Sequence, residues 1–383
     1  MKQMINPVPE IRGSRFHTAA LLLLSLFTNS IGQSTLKEAF GKYFLVGASI
    51  NRAQFFELDK RGAEIVAAQF NTISPENILK WASVHPQPGR YDFEGPDQYV
   101  TFGEKYKMVV IGHTLIWHKQ TPTWVFKDDK GNQVSRDVLL QRMRDHIHTV
   151  VGRYKGRIKG WDVVNEALNE DGTLRQSSWL KIVGEDYIAK AFQYAHEADP
   201  TAELYCNDYS LENEAKRKGA IRLIKKLQAE KIPIMAVGLQ GHDRLDWPSA
   251  EQEDAAITDF EKLGIKVNIT ELDVDVLPPV SQYKGADVTV NDRLQSKLNP
   301  YVNGLPDAVQ EALTRRYTDL FRVFLKHSRS IDRITFWCVT DGDSWLNNWP
   351  ARGRTNYPLL FDRNGKPKPA FQAVIDTAIS FKG

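Results

Sequence analysis

Eight short apolar runs, each followed by polar residues and then an amphipathic stretch, predict an α/β chain folded as a single-domain (β/α)8 TIM barrel. The runs recur at a steady interval from Lys42 to the end of the chain. The stretches between them place apolar residues three and four apart, the period of a helix packed on a sheet. No glycine-rich phosphate fingerprint follows the first run, as it would in an open doubly wound sheet, the competing arrangement.

The first run, YFLVGASI (43–50), is apolar almost throughout, as a parallel strand covered on both faces must be. QFNTISPEN (69–77) turns polar at Glu76 and Asn77, and KMVVIGHTLIW (107–117) carries His113 and ends in Trp117. IKGWDVVNE (158–166) sets Val163 and Val164 before Asn165 and Glu166. AELYCNDYS (202–210) and IMAVGLQGH (234–242) follow, then IKVNITELDV (265–274) and RITFWCVTD (333–341). Between them DVLLQRMRDHIHTVVGRYK and NEAKRKGAIRLIKKLQAEK read as amphipathic helices. Strands alternating with helices pair in parallel through right-handed crossovers. The segment 277–306, after the seventh run, is long and irregular, so it either lines a site or is surface elaboration.

Composition narrows the function. Fifty basic and 47 acidic side chains leave a net charge of +3, which gives no basic footprint for nucleic acid. Nine Trp and 13 Tyr suit either an aromatic core or a ligand with flat apolar faces and polar edges, such as a sugar. Cys206 and Cys338 lie on runs three strands apart and read as buried free thiols. At the N-terminus Lys2, Arg12 and Arg15 precede TAALLLLSLF (18–27) and the small residues Ser30 and Gly32. That pattern reads as a secretory signal over 1–32, cut before Gln33, leaving a barrel domain of 33–383 secreted or delivered to the periplasm. The apolar run is too short to span a bilayer, and an uncleaved amphipathic anchor is the alternative.

A barrel of this kind builds its site at the carboxyl ends of its strands. Those ends carry Glu76, Asn77, His113, Trp117, Asn165, Glu166, Asn207, Tyr209, Gln240, His242, Glu271, Asp273, Trp337 and Trp345. Any one of them alone reads better as a satisfied structural hydrogen bond; so many on one rim do not. Glu166 and Glu271 each end an apolar strand, 105 residues apart in sequence, and face one cavity if the barrel closes. Such a pair can cleave a glycosidic bond, one carboxyl giving a proton while the other attacks or activates water. A buried salt-bridge pair is the bland alternative, but no Lys or Arg lies within either strand end. His113 and His118 raise the question of zinc, but no H-E-x-x-H helix or tight ligand cluster accompanies them, so no metal is expected. The sequon at Asn268 falls inside a strand and is read as spurious.

SPENILKW, GHTLIWH, WDVVNEA, ITELDV and FWCVTDGDSWL, with NDYS, GLQGH and PLLFDRNGKPKPAF, occur in an order that resembles the glycoside hydrolase family 10 endo-β-1,4-xylanases. The resemblance runs from about Leu36 to the C-terminus. It implies retention by double displacement, with Glu166 as general acid/base and Glu271 as nucleophile. It also implies that Asn165 bonds the sugar 2-hydroxyl, that Asp273 fixes the His242 tautomer, and that His242 orients Glu271. Asp162 is expected behind the acid. Glu76, Asn77 and Lys80 would grip the second sugar; His113, Trp117 and Gln240 the sugar being cleaved; Trp337 and Trp345 would wall its ring, disfavouring a hydroxymethyl group. Asn207 is counted with these binding residues, and Tyr209 with the aglycone side. The expected partner is xylan, met by a monomer with no cofactor, no nucleic acid and no membrane span. The alternatives are a related retaining glycanase of mixed or exo preference and a non-catalytic sugar-binding barrel.

Overall fold

Apart from Met1, the computed structural model describes residues 34–279, 286–287 and 293–382. The expected signal, apart from its first residue, and parts of the 277–306 segment therefore lie outside the described residues.

Nine parallel strands occur among the described residues: β1 (Leu45–Ile50), β2 (Thr72–Pro75), β3 (Val109–Ile116), β4 (Gly160–Asn165), β5 (Glu203–Asp208), β6 (Ala236–Leu239), β7 (His242–Arg244), β8 (Lys266–Asp275) and β9 (Ile331–Phe336). Their order is β6-β5-β4-β3-β2-β1-β9-β8, and β6 pairs with β8, closing an eight-stranded barrel. β7 stands outside that ring and pairs only with β8, His242 opposite Asp273. The predicted barrel is present with all eight strands in the predicted order.

Two runs depart from their reading. IMAVGLQGH breaks at Gly241, whose φ of +73° glycine adopts without a Cβ clash. His242 thereby leaves the barrel wall and meets β8 further along. RITFWCVTD ends as a strand at Phe336, so Cys338 lies beyond β9 rather than within a strand. Cys206 lies in β5, and both thiols are buried and free, as expected. Asn268 is buried in β8, which removes the sequon from reach.

Each barrel strand is followed by a helix, the longest being Arg136–Arg153 and Asp307–Lys326. Their ends are set locally. Ser135, Asn213 and Ser249 each accept a backbone N–H at a helix start, contributing about 1 kcal/mol apiece. Small residues let large ones cross the wall. A Cβ on Gly112 would fall 2.1 Å from the Trp161 ring, and one on Gly238 would fall 2.2 Å from Asn207 Oδ1. Gly238 thus leaves room for an amide that matters below. Among the described residues no helix is long and apolar enough to cross a membrane.

Candidate active site

The carboxyl ends of the strands surround a cleft of about 440 Å³. Glu76, Asn77, Lys80, His113, Trp117, Asn165, Glu166, Gln240, His242, Glu271, Trp337 and Trp345 line it, so twelve of the predicted residues meet in one place. Lys119, Gln120 and Ala286 line it as well and were not foreseen. Ala286 belongs to the 277–306 segment, and the neighbouring Asp287 carbonyl accepts from Trp349 Nε1 at 3.1 Å.

Glu166 follows the last residue of β4 with φ +55°, a left-handed backbone that a non-glycine residue adopts at a cost of order 1 kcal/mol or more. Trp117 Nε1 donates to its Oε2 at 2.9 Å, and Trp179 Nε1 holds the Trp117 carbonyl at 3.0 Å. The amides of Asn165 and Gln240 reach Oε1 at the longer distances of 3.4 and 3.5 Å. Burial raises the Glu166 pKa, and the charges of Asp208 and Glu271 add to the rise. The Trp117 bond and Arg175 oppose it, and the outcome is about 7.

Glu271 sits within β8, and its two oxygens have strong donors. Asn207 Nδ2 donates to Oε1 at 2.7 Å, while His242 Nε2 lies 3.1 Å from Oε2. The other His242 nitrogen, Nδ1, lies 3.1 Å from Asp273 Oδ1. A ring between two carboxylates satisfies both contacts only with a proton on each nitrogen, so His242 is an imidazolium. Burial works against that charge, but Asp273 and Glu271 outweigh it and hold the His242 pKa at about 10. Burial likewise pushes Glu271 upward. The His242 bond and the cations around it, Lys80 among them, prevail and keep the carboxyl below its usual range. Trp345 Nε1 completes the chain by donating to Asp273 Oδ2 at 2.7 Å.

Two amides join the carboxylates. Asn207 Nδ2 also donates to Asn165 Oδ1 at 2.8 Å, and Thr270 Oγ1 donates to Asn207 Oδ1 at 2.6 Å. Asn207 is fully buried and bonds Glu271 and Asn165 from behind instead of lining the cleft. Tyr209 is also buried and outside the lining, its hydroxyl accepting from Arg175 at 2.7 Å. Asp162 does not bond Glu166. It lies 2.9 Å from His113 Nδ1 and 3.8 Å from the Arg333 guanidinium, so it supports His113. Asp273, reached by Trp345 and His242, does not line the cleft; with both His242 nitrogens protonated it holds the ring's charge instead of fixing a tautomer.

Lys80 is buried, donates to Asn77 Oδ1 at 3.0 Å, and lies over the rings of Trp117 and Trp337 at 4.9 and 5.8 Å. Burial lowers its pKa against the pull of Glu271, Glu76 and Glu166. Glu76 is pushed the other way, upward, by burial. Trp337 stands edge-on to His113 at 5.4 Å between centroids, and Trp345 stacks on Trp349 at 4.8 Å. Among the described residues no group of three or more His, Cys, Asp or Glu side chains is arranged to hold a metal.

Sequence reading missed Asp208, Arg175 and Trp179. Asp208 was in view inside NDYS, but strand alternation points it away from Asn207. Arg175 and Trp179 lie in the connection after β4, where no periodicity marks a functional position.

In this cleft the Glu166 pKa is raised to about 7 while that of Glu271 is kept below its usual range. The pair can deliver a proton to a leaving oxygen and attack the carbon it leaves. The defining pattern of glycosyl hydrolase family 10 matches residues 35–377. Endo-1,4-beta-xylanase A of Xylanibacter ruminicola is 45% identical over 355 residues, covering 93% of this chain and 96% of that protein. Beta-1,4-xylanase of Dictyoglomus thermophilum is 38% identical, covering 93% and 97%. A GH10 endoxylanase structure retrieved from sugarcane soil metagenome superposes with a TM-score of 0.87 at 43% identity, covering 89% of this chain and 99% of that one.

Proposed function

The chain belongs to glycosyl hydrolase family 10, and we propose that Glu166 and Glu271 divide the work of a retaining endo-1,4-β-xylanase. The protein hydrolyses internal β-1,4-xylosidic bonds of xylan by double displacement. Glu166 is the general acid/base and Glu271 the nucleophile. One observation carries this division: two carboxyls of one cleft have proton affinities driven apart, one to about 7 and the other below its usual range.

In the first step Glu271 attacks the anomeric carbon while Glu166 protonates the departing oxygen. Ester formation removes the Glu271 charge, one of the influences that raise Glu166. The Glu166 pKa then falls, and the same carboxyl becomes the base that takes a proton from water in the second step. His242, held as an imidazolium by Asp273, keeps the nucleophile ionised. Asn165 bonds the sugar 2-hydroxyl in this reading, and its support is that Asn207 bonds both Asn165 and Glu271. His113, Gln240 and Trp117 surround the reacting sugar; Glu76, Asn77 and Lys80 bind the next one. Trp337 and Trp345 crowd the ring where glucose would carry its hydroxymethyl group, which favours xylose.

Hydrolysis of xylan followed by proton NMR tests this reading. The first-formed anomer is β, and early products are a range of oligomers. Initial α product would overturn retention, and release of monomer alone from the first minutes would overturn endo action. The basic limb of the pH profile is expected near pH 7, since activity is lost as Glu166 ionises.

The basic start and apolar core of residues 1–32 support export, with cleavage before Gln33; a secreted or periplasmic protein starting at Gln33 by mass spectrometry tests it. A monomer is proposed as well, and sedimentation at the single-chain mass tests that.

A further inference from the structure

We propose that Arg175 and Asp208 are positioning residues for the acid/base, a pair of opposite charge that grips the backbone of the Glu166 turn from two sides. The inference rests on the assignment of Glu166 above. Arg175 Nε donates to the Glu166 carbonyl at 3.1 Å, and its terminal NH2 group donates to the Leu168 carbonyl at 3.2 Å and the Tyr209 hydroxyl at 2.7 Å. Its backbone N–H closes the turn onto the Ala167 carbonyl at 2.8 Å, next to the bridge between Leu168 and Leu174. From the other side Asp208 Oδ2 accepts the Leu168 N–H at 3.1 Å. Leu168 is therefore held at both its N–H and its carbonyl, two residues past the left-handed Glu166.

The grip has a reason. A left-handed glutamate at the end of a strand relaxes unless its surroundings over-determine it. Asp208 is kept in place by Lys216, which has no exposed side chain, sits 2.9 Å from Asp208 Oδ1 and lies over the Tyr209 ring at 3.4 Å. Lys216 also reaches Glu170 in the same turn at 3.3 Å. Arg175 has Asp287 at 3.6 Å and His118 nearby.

The two residues act on the Glu166 carboxyl with opposite sign. The charged groups facing it are Lys80 after β2, Asp208 of β5, Glu271 of β8 and Arg175 in its own turn. Trp117, Asn165 and Gln240 are its uncharged donors. Asp208 resists its ionisation and Arg175 assists it.

The test compares Arg175→Met and Asp208→Asn on two substrates, xylan and dinitrophenyl β-xylobioside, whose leaving group needs no proton. The basic limb of kcat/KM is expected to move up for Arg175→Met and down for Asp208→Asn, by roughly half to one pH unit each. On xylan kcat/KM falls about ten- to a hundredfold in each variant, while on the dinitrophenyl substrate it stays within about threefold. Equal losses on both substrates, or limbs that stay put or move together, would overturn the proposal in favour of a merely structural role. If Arg175→Met does not fold, Arg175→Lys keeps the charge: the substrate contrast persists and the limb stays in place, and loss of that contrast overturns the positioning role. Glu166→Gln separates the two readings. A basic limb and xylan activity surviving in that variant would sink the acid/base assignment itself.

Discussion

Glu166 follows β4 and Glu271 lies within β8 of one barrel, yet the protein surrounds them with opposite company. Glu166 meets an indole N–H, two distant amides and the negative charge of Asp208. Glu271 meets an imidazolium, a close amide and a buried lysine. Burial penalises both anions, so burial cannot separate them; the charge and hydrogen bonds of the neighbours do. One side keeps a proton ready and the other keeps an ionised oxygen free to attack.

That contrast is broken most severely at the nucleophile. Glu271→Ala is expected to reduce xylan hydrolysis by roughly 10⁴-fold or more, measured as reducing sugar released, because no second group can form the intermediate. The acid side gives way differently. Glu166→Ala should lose about 10²- to 10⁴-fold on xylan yet little of kcat/KM on dinitrophenyl β-xylobioside, since only the poor leaving group needs a proton. Equal losses on the two substrates would remove the asymmetry.

His242→Asn sharpens the comparison from the nucleophile side. Loss of a charge-assisted hydrogen bond lowers kcat about ten- to a hundredfold. It also raises the Glu271 pKa, so the acidic limb moves to higher pH while the basic limb stays in place. A shift of the basic limb instead would show that His242 serves Glu166. The mildest change is Gly238→Ala, whose Cβ would press on Asn207 Oδ1 from 2.2 Å. Displacement of that amide from Glu271 and Asn165 should cost about tenfold or less in kcat, and unchanged kinetics would mean the amide bridge is dispensable.

The strands were legible because parallel barrel strands are apolar on both faces and end abruptly in polar residues. Eleven of the twelve predicted residues that line the cleft were legible for the same reason, since each was read at or near such an end, while Lys80 came only with the family resemblance. Asn207 was found as a polar position but not as a support, and Asp162 was read as a support of Glu166 when it bonds His113, because the partner each one bonds comes from another strand. The break at Gly241 was hidden because a glycine and a glutamine within an apolar run do not by themselves stop a strand. Arg175 gave no signal at all: its importance lies in two carbonyls and a hydroxyl, which any loop residue could face.

What the sequence determined unaided was the alternation of strands and helices and the residue types at each strand end, since both follow from local periodicity and the cost of burying polar groups. What only the tertiary structure decided was which carboxyl holds a proton. That depends on His242, Asp208, Arg175 and Lys80, groups brought from different strands and loops when β6 pairs with β8 and the ring closes. Proton affinity is a property of neighbours a few ångströms away in space, and chain order does not specify them.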